Sequence, residues 1–168
     1  VMEQAVDTLS SIVAEVKPVT VPNTADHLPS GAAIVFAESA ALLEDLRTTI
    51  GDRIGEEARA TMADGAALTG TAFASAQAAR VAFERAYLDV FEQQGVDILI
   101  APVNPNQVLD HGTNDIDGVP LIPATTQFTF PVNGAGLPAI ALPGGFARDG
   151  MPIGFQLIGR PFDERTLA

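Results

Sequence analysis

Residues 133–146 read NGAGLPAIALPGGF, and no single helix or strand can hold them. Pro131, Pro138 and Pro143 each lack a backbone donor, and the glycines between them admit dihedrals that other residues avoid. The chain must therefore turn before Leu137, run as a short strand to Leu142 and break again at Pro143. Gly134, Gly136 and Ala139 also fit G-x-G-x-x-G/A, the pattern that cradles a pyrophosphate. That function needs a strand before the glycines and a helix opening on them. Here the order is reversed, with a strand following, so the glycines are read as architectural.

The surrounding pattern alternates helix and strand. Residues 1–15 place Met2, Val6, Leu9, Ile12 and Val13 on one helical face. VKPVTVP, β-branched and broken by prolines, reads as a short strand and exit loop. A helix over 32–49 is expected to bury Val35, Leu42, Leu43, Leu46 and Ile50. A short acidic helix near 52–63 is expected to stop at Asp64-Gly65. The longest helix, 70–94, aligns Phe73, Ala76, Phe83, Tyr87, Val90 and Phe91, with Gly95 in C-terminal capping position.

Beyond Gly95 the character changes. Asp97–Ala101 reads as a strand ending at Pro102, and 102–127 as a long functional or disordered loop. Leu137–Leu142 and Ile153–Ile158 form a hairpin about Arg148-Asp149-Gly150. The first run is apolar enough for a strand covered on both faces of a larger sheet. Gln156, on a buried strand, must find a hydrogen-bonding partner. Asp163 caps a last helix. Helical patterns are running at both ends and three or four strands are found. The expected class is thus α/β, with helices packed on a mixed, incomplete sheet.

Composition narrows the function classes. The chain has 168 residues, 47% of them hydrophobic, with a net charge of −12. That suits one folded domain and opposes binding to nucleic acid or to an anionic membrane surface. Absence of cysteine removes disulfides, thiolate metal sites and a cysteine nucleophile. No apolar run reaches the roughly 20 residues needed to span a bilayer, and VMEQAVDTLS lacks a basic leader. A cytoplasmic protein is the expectation.

The stretch from Asn133 to Glu164 resembles the C-terminal signature region of the amidase signature hydrolases. The resemblance is carried by Asn133, then Gly136-Leu137-Pro138-Ala139, Pro143, Gly145-Phe146, Gly150, Pro152-Ile153-Gly154, Gln156-Leu157-Ile158-Gly159 and Glu164. Met151 stands in place of the more usual leucine. Weaker matches upstream include Glu38, Arg59, Gly65, Arg80 and VDILIAPVNP, with Val103 where the family has threonine. The resemblance implies that residues 1–168 are the C-terminal part of one amidase signature domain, an α/β/α fold.

It also implies a serine hydrolase. A nucleophilic serine, a second serine in a cis peptide and a neutral lysine base form an acyl-enzyme and release an amine or ammonia. None of the serines here (Ser10, Ser11, Ser30, Ser39, Ser75) has the expected glycine-rich context, and Lys17 is the only lysine. The catalytic group is therefore expected upstream, so no catalytic residue is assigned here and this part alone is expected to be inert. His27 and His111 are read as loop or surface histidines, and Asn114-Asp-Ile-Asp117 as too poor in ligands for a metal. No cofactor or metal is expected.

What the resemblance leaves to this chain is a wall of the substrate cleft. Val103, Asn104, Thr126, Phe128 and Asn133 are the candidates for contact with a small amide. Glutamyl-tRNA amidotransferase subunits of the family carry an aspartate where Thr126 stands, so a general amidase is favoured. The alternative is a non-catalytic module whose open sheet edge pairs with a separate catalytic chain, or with a second copy as a homodimer.

Overall fold

The computed structural model describes residues 2–106 and 109–168. In chain order the elements are α1 (Met2–Ser10), α2 (Thr24–Leu42), α3 (Glu44–Ile50), α4 (Glu56–Ala67), α5 (Gly70–Gln94) and β1 (Leu99–Pro102). There follow β2 (Asp115–Ile116), β3 (Val119–Pro120), α6 (Leu121–Thr126), α7 (Phe130–Gly134), β4 (Ala139–Phe146), β5 (Pro152–Ile158) and α8 (Glu164–Leu167).

Helix α5 forms where periodicity predicts it. Thr69 accepts a hydrogen bond from the Ala72 N–H at 3.2 Å, and Gly95 closes the helix in the left-handed region at φ 62°. Ala76, Phe83, Tyr87, Val90 and Phe91 are buried along it. Four of these meet Leu99 of β1, Ile158 of β5, Val132 of α7 and Ala135 and Leu137 between α7 and β4, which makes the core. Phe91 is 1% exposed, so emptying its site costs about 3–5 kcal/mol. Arg160, just past β5, donates to the Val96 carbonyl at 2.9 Å and stands over the Phe91 ring. It fixes the sheet to the negative end of α5.

The sheet has the order β1-β5-β4, antiparallel throughout. Among the described residues it shows no parallel pair of the kind a mixed sheet contains. The predicted β4–β5 hairpin is present, with a register shift between Pro143 and Gly145. β4 lies at an edge, and Ala139 and Ala141 on it are exposed rather than covered on both faces.

Several expectations need correction. Residues 16–22 form no strand. At the one residue Thr20 the backbone is paired by Gln94, which accepts from the Thr20 N–H at 3.0 Å and donates to the Thr20 carbonyl at 2.7 Å. A side-chain amide thus takes the place of a neighbouring strand.

Helix α2 begins eight residues earlier than periodicity suggests, capped by Asn23, whose side chain accepts from the Ala25 N–H. Its packed face is His27, Gly31 and Ile34, and His27 is therefore neither in a loop nor at the surface. Val35 and Leu42 are exposed because α2 packs through its other face, and Leu43 and Leu46 are exposed beyond the break at Leu43 that separates α2 from α3. Helix α4 runs through Asp64-Gly65 to Ala67. Gly65 is a crossing point and not a stop: a β-carbon there would collide with the Phe36 carbonyl of α2.

The described residues of the 102–127 stretch include β2, β3 and α6. β2 and β3 pair around Asp117 and Gly118, both at positive φ, as a two-residue hairpin turn demands. Asp115 accepts from the Gly118 N–H at 3.2 Å, so this carboxylate builds a turn.

Candidate functional site

The end of β1 and the segment between α6 and α7 converge on one side chain. Gln156 of β5 is 4% exposed, and its Nε2 donates to the Pro102 carbonyl at 3.2 Å and the Phe128 carbonyl at 2.8 Å. Both neighbours are acceptors, which fixes the amide orientation with nitrogen toward them. The partner that a buried glutamine requires is thus supplied twice. Gln156 ties the residue before Val103 to Phe128 itself.

The sequence-predicted residues lie on these two segments and on α7. Val103 extends the β1–β5 ladder, its N–H donating to the Gly154 carbonyl at 3.4 Å. Asn104 is exposed, and its side chain accepts from the Asn106 N–H at 2.9 Å. Asn106 in turn donates to the Ala124 carbonyl of α6 at 3.0 Å, a second tie between the loop and the helix. Thr126 donates its hydroxyl proton back to the Ile122 carbonyl at 2.7 Å. With Phe128, these candidates carry no charge, so what they offer a ligand is shape and neutral hydrogen bonding.

Asn133 sits farther along, on α7. Its N–H donates to the Thr129 carbonyl at 3.2 Å, and its side chain is exposed and hydrogen-bonds to nothing among the described residues. No hydrogen bond joins it to Val103 or Asn104 in those residues; the connection runs through Phe128 and Thr129. Phe128 also lines a cleft of about 1200 Å³ together with Val19, Tyr87, Leu99, Ala101 and Leu157. That volume exceeds the roughly 300–1,000 Å³ of ordinary small-molecule pockets, and β1, whose outer edge is unpaired among the described residues, forms part of its lining.

His27 is the residue that sequence reasoning misplaced. It is 2% exposed and stacks on Phe83 with centroids 4.0 Å apart and planes within 6°. Nδ1 meets the Ser30 hydroxyl at 3.2 Å, while that hydroxyl donates to the His27 carbonyl at 2.9 Å. Nε2 is buried without a partner among the described residues. Burial, with a smaller contribution from the positive charge of Arg80, holds the imidazole pKa below its ordinary value. The signal lay in the glycines: Gly134 has no room for a β-carbon beside the His27 ring.

Ser30 and His27 do not form a nucleophile and base. Both lie on α2, the hydroxyl proton points to a backbone carbonyl, and the far nitrogen is closed off. Among the described residues no group of three or more His, Cys, Asp or Glu side chains could hold a metal ion. No described helix is long and apolar enough to cross a membrane. The glycine run is likewise accounted for by packing: Gly134 touches His27, Gly136 takes φ 65°, and the strand β4 follows.

Comparison with known proteins agrees with this architecture. A family model described as Amidase matches residues 1–168. The chain is 34% identical to a glutamyl-tRNA(Gln) amidotransferase subunit from Roseiflexus sp. (strain RS-1), an alignment covering 97% of this chain and 37% of that protein. A solved structure described as an amidase superposes with TM-score 0.84 at 25% identity, covering 97% of this chain and 38% of the other. A 6-aminohexanoate cyclic dimer hydrolase solved with its substrate gives TM-score 0.75 at 25% identity, covering 98% and 38%. The chain thus spans little more than a third of the length of the proteins it matches. With its signature glycines seated in this packing and the family model matched from end to end, the chain belongs to the amidase signature family.

Proposed function

We propose that residues 1–168 are the C-terminal part of a single amidase domain and supply one wall of its substrate cleft. The hydrolysis of a carboxylic amide C–N bond would proceed through a serine acyl-enzyme, with the serine, cis-serine and lysine on polypeptide upstream. The observation that carries this reading is the Gln156 tie, which joins Pro102–Val103 to Phe128 as one rigid edge. Sites gain precision when their walls are held by satisfied buried hydrogen bonds. The open β1 edge and the large apolar cleft beside it support a domain completed by further chain.

Within that reading the substrate is a neutral small amide. Val103 and Phe128 supply apolar contact, and Asn104 and Asn133 supply donors and acceptors. Thr126 has no charge to receive an amino group, and its proton is committed to Ile122. This favours a general amidase over the amidotransferase reaction named for the curated relative. The test is ammonia release from a panel of simple amides by the complete polypeptide. Turnover of free amides supports the reading, and turnover confined to a glutamyl-tRNA substrate contradicts its choice of substrate.

A second reading, a non-catalytic module that pairs with a separate catalytic chain, draws on one observation: β1 and β4 each leave an outer edge unpaired among the described residues. Such edges invite another strand. Size-exclusion chromatography of this chain with and without the upstream part separates the two readings.

A further inference from the structure

We propose that His27 is a positioning residue whose ring, wedged between Phe83 and Gly134, sets where α7 lies and thereby where Asn133 is presented. This rests on the reading of Asn133 as a substrate contact. Helix α7 has five residues, far too few to form a helix stable in its own right, so its place is dictated by what it packs against.

That packing is reciprocal. His27 and Gly31 are one turn apart on α2, and Phe130 and Gly134 are one turn apart on α7. The Phe130 ring fills the space where a Gly31 β-carbon would be, and the His27 ring fills the space where a Gly134 β-carbon would be. The two rings lie 6.2 Å apart, centroid to centroid. Two rings thus enter two glycine notches, and α7 can neither slide nor rotate without a collision.

His27 is also flat on Phe83 of α5, so a single side chain gauges the spacing of three helices. Its ring plane is set by the Ser30 contact at Nδ1. The charge that reaches it from α5 is Arg80, whose guanidinium is engaged by Gln77 and Glu84. The α7 sequence FPVNG contributes no charged group.

Asn133 immediately precedes Gly134, and Thr129, which receives the Asn133 N–H, immediately follows Phe128. A shift of α7 therefore moves both candidate contacts. Displacements of about 1 Å at a binding group can cost up to about 100-fold in rate.

The test uses the complete polypeptide labelled with nitrogen-15 at asparagine, in wild-type form and as His27→Ala, His27→Leu and His27→Phe. The backbone resonance of Asn133 is expected to move in the alanine and leucine variants and to stay in place in the phenylalanine variant, which keeps a flat ring. KM for the amide substrate is expected to rise about tenfold in the first two, with kcat little changed. His27→Leu carries the same expectation if His27→Ala does not fold. An Asn133 resonance unmoved in both overturns the proposal, whatever the activity. A moved resonance with unchanged KM, or with no turnover in the wild type, leaves the wedge standing and counts against the pocket reading.

Discussion

Gln156 and Phe128 are joined at 2.8 Å, side-chain nitrogen to main-chain carbonyl, across a sequence separation of 28 residues. The same nitrogen reaches Pro102. Because Phe128 is itself a candidate contact and Pro102 adjoins Val103, this amide, together with the Asn106–Ala124 bond, holds the wall in place.

Gln156→Leu removes both hydrogen bonds and leaves two partly buried carbonyls without a donor. The expected loss is about 2–3 kcal/mol, read from urea unfolding. Gln156→Glu should be worse at neutral pH, where a carboxylate faces two carbonyl oxygens, and should partly recover in acid as it gains a proton to donate.

Glycine substitutions should rank by what surrounds them. Gly65→Ala meets a backbone carbonyl of α2 and Gly134→Ala meets the His27 ring, so each should destabilise by about 1–3 kcal/mol or more. Gly65→Ala should be the costlier, since backbone cannot swing aside. Gly70→Ala has nothing within 4 Å and should stay within about 0.5 kcal/mol of wild type. Thermal unfolding of the three variants checks the order.

Gln94→Ala removes both bonds to Thr20. These bonds are exposed, so the stability loss should be modest, about 1 kcal/mol. The clearer effect is local: residues 16–22 should become the first site of cleavage in limited proteolysis.

His27 makes stability depend on pH with a defined sign. Its folded pKa lies below the ordinary 6.5. As pH falls below 6.5 the unfolded chain takes up a proton that the folded chain refuses. The contribution of His27 is therefore complete above about pH 6.5 and declines as pH drops. His27→Phe should flatten the stability profile below about pH 6.5, measured by urea unfolding at several pH values.

The parts of the fold written in local chemistry were legible in the sequence. Helix α5 with Gly95, the β4–β5 hairpin and the need of Gln156 for a partner follow from periodicity, turn residues and polar satisfaction. Parts that depend on distant partners were not. Residues 16–22 look like a strand because β-branched residues suit one, but Gln94, 74 positions from Thr20, takes the place of a neighbour. The stripe from Val35 to Ile50 is periodic, yet α2 packs through His27, Gly31 and Ile34 because small residues allow the closer approach. The Asp117-Gly118 pair between Ile116 and Val119 is a readable hairpin signal inside a stretch whose composition otherwise suggests loop. At the site, Val103, Asn104, Thr126 and Phe128 fall on two tied segments, while Asn133 is linked to them only through α7. What holds α7 could not be read, because the wedge joins His27 to Gly134 across most of the chain and leaves only two glycines, Gly31 and Gly134, as its trace.

The most direct measurement is steady-state amide hydrolysis by the complete polypeptide, wild type against Phe128→Ala and Asn133→Ala. A substrate lying against this wall predicts ammonia release by the wild type, with KM raised about tenfold or more in both variants and kcat affected less. Turnover with KM unchanged in both would contradict that placement, and no turnover of any amide would contradict the proposed reaction.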